Sequence, residues 1–399
     1  MDELYQKAKA NGFKGTFLEF LKEYLSLNIQ EDTAFANKAL LSTVIVSCNF
    51  TYIAGGSFWQ QEREIPATSN GTGVVYKLDK DTGSAYIITN YHVVYSSNAT
   101  EHTSTDGIID DISIYLYGEE YADSQIQAQF VGGSQTYDIA VLKIEDSQIV
   151  KDSDLIQVEI GNSDEVAVGS KTLVVGNAAG KGISVTKGIV SVDSEYIEVS
   201  DGTGLNAQKS THRVMRVDAA VNSGNSGGGL FNAQGALIGI VNAKTTSTSI
   251  ENMGYAIPSN VAVAVAESII DNCDKDYDKE DRVKKMSKAT LGIQLSINSS
   301  RAVYDGNTMT TKIVEDVVIS LVEEGSLADG KLQVDDIIKS VAIKSDTKQV
   351  TRSFHLIDAL LNARVGDKIT LTVIRVVEDE SKEVQVEIIV TQESLSIIE

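Results

Sequence analysis

Residues 222–232 read NSGNSGGGLFN, a glycine- and serine-rich run flanked by apolar segments, VMRVDAAV before it and LFNAQGALIGIV across its end. A flexible linker would not carry such flanks, which belong in a core. A phosphate loop needs a lysine directly after its second glycine and a helix behind it. The nearest match, GNAAGKG at 176–182, has one residue too few between its glycines and Gly182 where Ser or Thr belongs. What is left is a tight turn presenting a nucleophilic serine, Ser226. GNSGG also fits the GxSxG elbow, but an elbow leads into a helix and its Asp and His follow the Ser. Here a hairpin-like segment follows, and His355 is the only histidine downstream. The opposite order, His then Asp then Ser, is the one found on double β-barrels, which directs the search upstream.

The chain has four histidines. His92 closes the apolar run AYIITNYHVV, where a barrel strand would deliver an imidazole to a cleft. His102 lies in a polar loop, and His212 leads into a strand. Asp138, in TYDIAVLKI, is followed at once by an apolar strand. A carboxylate at a buried strand mouth is costly unless strong hydrogen bonds satisfy it, and orienting an imidazolium is such a use.

The surroundings agree. From about residue 34 to 258 the chain consists of short runs rich in Val, Ile, Thr and Tyr, such as GTGVVYKL, IAVLKI, KTLVVG and ALIGIVNA, separated by Gly, Asn and Asp clusters. That texture predicts an all-β barrel or sandwich. VAVAVAESIIDNC (261–273) reads as a helix and 273–288 as a charged linker. Its DxDxD at Asp274–Asp278 is not a calcium loop, because Lys279 and Lys285 occupy the glycine and glutamate positions. From 289 to 395 strands mix with one helix, FHLIDALLNAR, predicting a separate α+β domain. Residues 1–28 predict a short helical appendage, with Thr16 and Glu19 as a capping box. A length of 399 residues suits two main domains. A net charge of −22 disfavours nucleic acid as a partner. No apolar run approaches the roughly 20 residues of a membrane span, and the first residues are not expected to be a secretory signal, since they lack its basic region, apolar segment and small-residue cleavage site. Cys48 and Cys273, without CxxC spacing, are expected to be unpaired structural residues. No metal or cofactor is expected.

TNYHVV, YDIAVLKI and DAAVNSGNSGGGLFN, in that order, resemble the three catalytic blocks of the trypsin-like serine proteases of the HtrA (Deg) family. GTGVV, VVGNAAGKGISVTKGIVS, GIVNAKT and MGYAIPSN are similar to that family as well, and TLGI (290–293), SLVEEGSLADGKLQVDDIIKSV and NARVGDKITLTVIR resemble its PDZ domain. The resemblance implies a mostly β chain: a chymotrypsin-like double β-barrel protease domain over 34–272, then an α+β PDZ domain over 289–395. It implies Ser226 as nucleophile, His92 as general base and Asp138 as its orienter, with Gly224, Asn225 and Ser226 supplying the oxyanion hole. Ala220 and the strand Ile240, Val241, Asn242, Ala243 would wall the primary specificity pocket. With no acidic residue there, a small or medium apolar side chain is favoured over Lys or Arg. Leu291, Gly292 and Ile293 would capture peptide C-termini. Loops near 194–212, 223–225 and 244–252 would switch the site.

The family further implies unfolded polypeptides as substrates, a homotrimer with Tyr52, Phe58 and Trp59 as candidate contacts, and an extracytoplasmic location. The appendage resembles modules of Gram-positive surface proteins, which suggests a cell-surface anchor. A peptide-binding or chaperone-like scaffold with little peptidase activity is the alternative. Two positions depart from the family pattern. Tyr91 stands where Asn is common before the histidine, and Gly229 replaces the proline after GNSGG, which predicts a soft turn behind the nucleophile.

Overall fold

The structure, a computed structural model, describes residues 2–10, 12–17, 19–20, 33–55, 62–119, 124–200, 209–243, 253–272 and 286–398. Two closed six-stranded antiparallel barrels follow one another. The first comprises β1 (Thr43–Ala54), β2 (Arg63–Asp79), β3 (Ser84–Thr89), β4 (Asp111–Leu116), β5 (Ile126–Ser134) and β6 (Ile139–Ile144), paired in the order β1-β2-β3-β6-β5-β4. The second comprises β7 (Lys171–Gly176), β8 (Ser184–Ser200), β9 (Lys209–Val217), β10 (Gly229–Asn232), β11 (Leu237–Asn242) and β12 (Gly254–Pro258), paired β8-β9-β12-β11-β10-β7. Closure leaves no strand edge open in either barrel.

Several strands read as unbroken apolar runs because both of their faces are buried. In β6, Ala140, Leu142 and Ile144 fill the first barrel, while Ile139 and Val141 point outward into a second cluster. In β3, Ala85 and Ile87 face in, and Ile88 faces out. The outward cluster joins residues of both barrels, including Ile45, Val74, Val175, Phe231 and Ile240, to Val261, Val265 and Ile269 of a helix, Ser259–Asp271. The barrels are thus welded face to face, and the loops at their seam are held by packing on both sides.

The third unit is α+β. Its sheet runs β14 (Ile293–Asp305), β15 (Thr310–Val322), β16 (Ile337–Ile343), β18 (Lys368–Val377), β19 (Glu380–Ile389), with β17 (Asp346–Gln349) added to β16. The helix Ser353–Ala359 packs on it. Met286–Ala289 (β13), which takes in the last three residues of the predicted linker, is a strand paired with Leu395–Ile398 (β20). The linker's remaining residues, 273–285, lie outside the described residues. Ion pairs cross from the barrels to this unit: a buried one from Arg213 to Asp358, and half-buried ones from Arg352 to Asp193 and from Lys348 to Asp164.

In the appendage, helix Asp2–Ala10 is followed by the expected capping box. Thr16 N–H donates to Glu19 Oε2 at 2.7 Å, and Glu19 N–H donates to Thr16 Oγ1 at 3.2 Å. Tyr5 packs against Phe13, Phe17 and Phe20, a small core of its own. Among the described residues no helix is long and apolar enough to cross a membrane. Cys48 is buried and free, whereas Cys273, Phe58 and Trp59 lie outside the described residues.

Candidate active site

His92, Asp138 and Ser226 come from three separate segments and meet at the seam. His92 sits in a single helical turn, Tyr91–Val94, just beyond β3 rather than at the strand's end. Asp138 occupies the turn before β6 in a left-handed conformation, φ 51°, a backbone state that Asp tolerates better than most residues. Ser226 lies in the turn leading to β10. His92 Nδ1 is 2.8 Å from Asp138 Oδ2, and His92 Nε2 is 2.9 Å from Ser226 Oγ. The His92 backbone N–H donates to Asp138 Oδ1 at 3.0 Å, so one carboxylate fixes both the ring and its backbone.

Two further residues hold Asp138: Asn242, which was expected in the pocket wall, and Asn90, which was not expected at the site. Asn242 Nδ2 donates to Asp138 Oδ2 at 3.0 Å, and Asn90 Nδ2 donates to the Asp138 carbonyl at 2.8 Å. Burial disfavours the Asp138 carboxylate, but the neighbouring His92, through its charge and two hydrogen bonds, and the more distant His212 outweigh it. Its pKa is held below the usual carboxylate value. Of the other histidines, His102 is exposed, His212 is buried within β9, and His355 belongs to the α+β unit.

The turn that carries Ser226 is pinned from several directions. Thr72 N–H donates to the Ser226 carbonyl at 2.8 Å, Gly227 N–H to Val241 O at 2.9 Å, and Thr72 Oγ1 to Gly224 O at 2.7 Å. Gly224 has φ 93°, and a Cβ there would lie 2.1 Å from Asn177 O, so only glycine fits. Ala179 N–H donates to the Ser223 carbonyl at 2.7 Å. In a trans peptide the next N–H points the opposite way, which turns the Gly224 amide away from the 177–180 turn. Asn225 departs from expectation: its amide already donates to Asn222 O at 3.0 Å and cannot converge with its neighbours.

The specificity wall also differs. Ile240 and Val241 are fully buried in the barrel clusters, and Asn242 is turned to Asp138. Of that predicted strand only Ala243 lines the cleft, a cavity of about 390 Å³ that also takes in His92, Ser226 and Ser223. Ala220 is exposed, its carbonyl held by Thr186 Oγ1 at 3.0 Å. Gly229 is no soft turn: it opens β10, is buried, and faces the ring of Phe231. Much of the predicted switch loops, 201–208 and 244–252, lies outside the described residues.

In the α+β unit, Leu291 is buried, Gly292 has φ 72°, and Ile293 starts β14 at the edge of the sheet. Ala328 N–H donates to Leu291 O at 3.1 Å and Glu323 N–H to Gly292 O at 2.8 Å, which fixes the loop that precedes the edge strand.

Residues 71–240 match the model of the trypsin-like peptidase domain. The serine protease Do-like HtrA of Lactococcus lactis subsp. cremoris is 30% identical over 372 residues, covering 88% of this chain and 81% of that protein. The protein of the same name from Bacillus subtilis is 28% identical over 340 residues, covering 83% and 66%. Among solved structures, the HtrA-type protease AlgW with a decapeptide superposes with a TM-score of 0.50 at 23% identity, covering 90% of this chain and 98% of that one.

Proposed function

Because this chain belongs to the HtrA family of serine proteases, we propose that it cleaves internal peptide bonds of unfolded polypeptides with Ser226 as nucleophile, His92 as general base and Asp138 as orienter. The observation that carries this is the unbroken hydrogen-bonded chain Ser226 Oγ, His92 Nε2, His92 Nδ1, Asp138 Oδ2. A serine hydroxyl is a weak nucleophile at neutral pH until a base takes its proton as the new bond forms. His92 Nε2 is in reach to do so, and later to return that proton to the leaving amine. Asp138, kept ionised by its neighbours, holds Nδ1–H and stabilises the imidazolium. The developing oxyanion is assigned to the amides of Gly224 and Ser226, which their glycine-framed turn holds in place before the reaction.

The α+β unit is assigned as a PDZ domain, with Leu291–Ile293 as the carboxylate loop and the edge of β14 as the strand to which a peptide C-terminus adds. A homotrimer and an extracytoplasmic location are part of the same reading. In support of the location, one relative from Pseudomonas fulva is named a probable periplasmic endoprotease. The test compares cleavage of a reduced, unfolded protein by the purified chain and by Ser226→Ala, each with and without peptides ending in an apolar residue. Loss of a nucleophilic serine typically lowers turnover about 10⁶-fold. Equal rates in the two proteins would leave only a peptide-binding scaffold.

A further inference from the structure

Three residues past His92, Tyr95 enters the cleft on the wall contributed by the first barrel, beside Ser96 and Ser97 and across from Ser223 and Ala243. Its ring is fixed on two sides. It stacks on Tyr91 with centroids 5.2 Å apart and planes at 27°. Tyr91 is buried and set edge-on against Phe130. On the other side the Tyr95 ring abuts the backbone of Gly107, where a Cβ would lie 2.4 Å from Cε2. The main chain is tied at the same point by a bridge from Tyr95 to Ile108 and by Ser96 N–H donating to Gly107 O at 2.8 Å. The residue that stands where the family commonly has Asn, Tyr91, is thus the platform under an aromatic of the cleft.

The other described residues lining this cleft are the imidazole of His92, serines and Ala243, so Tyr95 is their one large, mainly apolar ring. A ring already immobilised loses little entropy when a substrate packs against it. We propose that Tyr95 is a specificity-determining residue, selecting an apolar side chain at one of the two substrate positions that adjoin the residue attacked by Ser226. The proposal rests on the protease assignment above. A polypeptide crossing between the two walls must place one of those neighbouring side chains on the His92 side, and there Tyr95 offers it apolar area. Apolar or aromatic contact of this kind is worth roughly a 3- to 10-fold preference over alanine.

The test digests a reduced, unfolded protein with the full chain and maps the cut sites by mass spectrometry. The native chain is expected to enrich Leu, Phe or similar residues at one flanking position, before or after the attacked residue, and the map identifies which. Tyr95→Ala is expected to flatten that position by 3- to 10-fold while preferences elsewhere stay. Tyr95→Phe is expected to keep the native profile. Should Tyr95→Ala melt early, Tyr95→Leu retains contact with Tyr91 and is expected to weaken aromatic enrichment alone. Slower cutting with an unchanged profile, or an enrichment of Lys or Arg that Tyr95→Ala abolishes, overturns the proposal. Absence of any Ser226-dependent cutting by the native chain overturns the protease assignment and the proposal with it.

Discussion

The side-chain amide of Asn242 donates to Asp138 Oδ2 at 3.0 Å, the same oxygen that lies 2.8 Å from His92 Nδ1. Asn242 is fully buried, so this amide acts as a fixed support for the carboxylate proposed to orient His92. Its removal leaves a buried carboxylate with one donor fewer, a loss of about 1.5–3 kcal/mol for a charged acceptor. Asn242→Ala is therefore expected to lower kcat by roughly 10- to 100-fold with little change in KM. Asn242→Asp places a like charge against Asp138 and raises its pKa. The acid limb of the pH–rate profile should then move to higher pH, and further than in Asn242→Ala, which loses the donor but gains no like charge.

Gly224 tests the oxyanion assignment. A Cβ at this position meets Asn177 O at 2.1 Å, and its φ of 93° is costly for any L-residue. Gly224→Ala is expected to displace the Ser223–Gly224 peptide and misdirect its N–H, lowering kcat by about 10²–10³, as for a lost oxyanion donor. The Ser226–His92 pair should survive, so labelling of Ser226 by a fluorophosphonate should fall much less than peptide turnover. Turnover within about threefold of the native chain would remove Gly224 from the oxyanion hole.

The two barrels could be read in the sequence because strands such as β3 and β6 are buried on both faces and so appear as uninterrupted apolar runs. His92, Asp138 and Ser226 were legible because each sits beside such a run in a short motif. The part played by Asn242 was not. Whether a strand residue faces a cleft or a core depends on where its strand sits in the barrel, and β11 lies between β10 and β12 with both faces covered. Gly229 was misread for a related reason: a glycine after a turn looks like more turn until its pairing with Val175 and Ile240 is known. Long-range ion pairs such as Arg213–Asp358, 145 residues apart, leave no local signal at all.

That ion-pair network makes a prediction about pH. Burial pushes the Asp358 carboxyl up to about 6, against the pull of Arg213. Burial likewise holds His355 down to about 4, with Asp164 opposing and Arg213, Lys348 and Arg352 assisting. Between pH 4 and 6 the folded Asp358 keeps a proton that the unfolded chain has lost, so its contribution to stability declines as pH rises. Folded His355 lacks a proton that the unfolded chain holds, so its contribution grows as pH rises through the same window. The two slopes oppose one another. Asp358→Asn removes the first and should leave a protein whose stability falls more steeply than that of the native chain as pH drops from 6.5 to 4. His355→Phe should show the reverse. Thermal melts at pH 4.5, 5.5 and 6.5 decide, and parallel curves for all three proteins would contradict the assignment.

Gly229 provides the corresponding test of packing. It is buried at the start of β10, and an added Cβ would lie 2.3 Å from Phe231 Cε2 and 3.1 Å from Leu237 Cδ1. Phe231 is itself fully buried in the cluster that joins the barrels, so its ring has nowhere to yield. Gly229→Ala is expected to destabilise by about 1–3 kcal/mol through overpacking. For a domain of this size, that lowers Tm by roughly 2–4 °C per kcal/mol. Proline at this site meets the same ring, so Gly229→Pro should lower Tm instead of raising it as a soft turn would require. Pairing Gly229→Ala with Phe231→Leu frees the space the methyl needs, and the double variant should lose less stability than the two single losses added together. Strict additivity would mean that the ring of Phe231 is not what excludes a side chain from position 229.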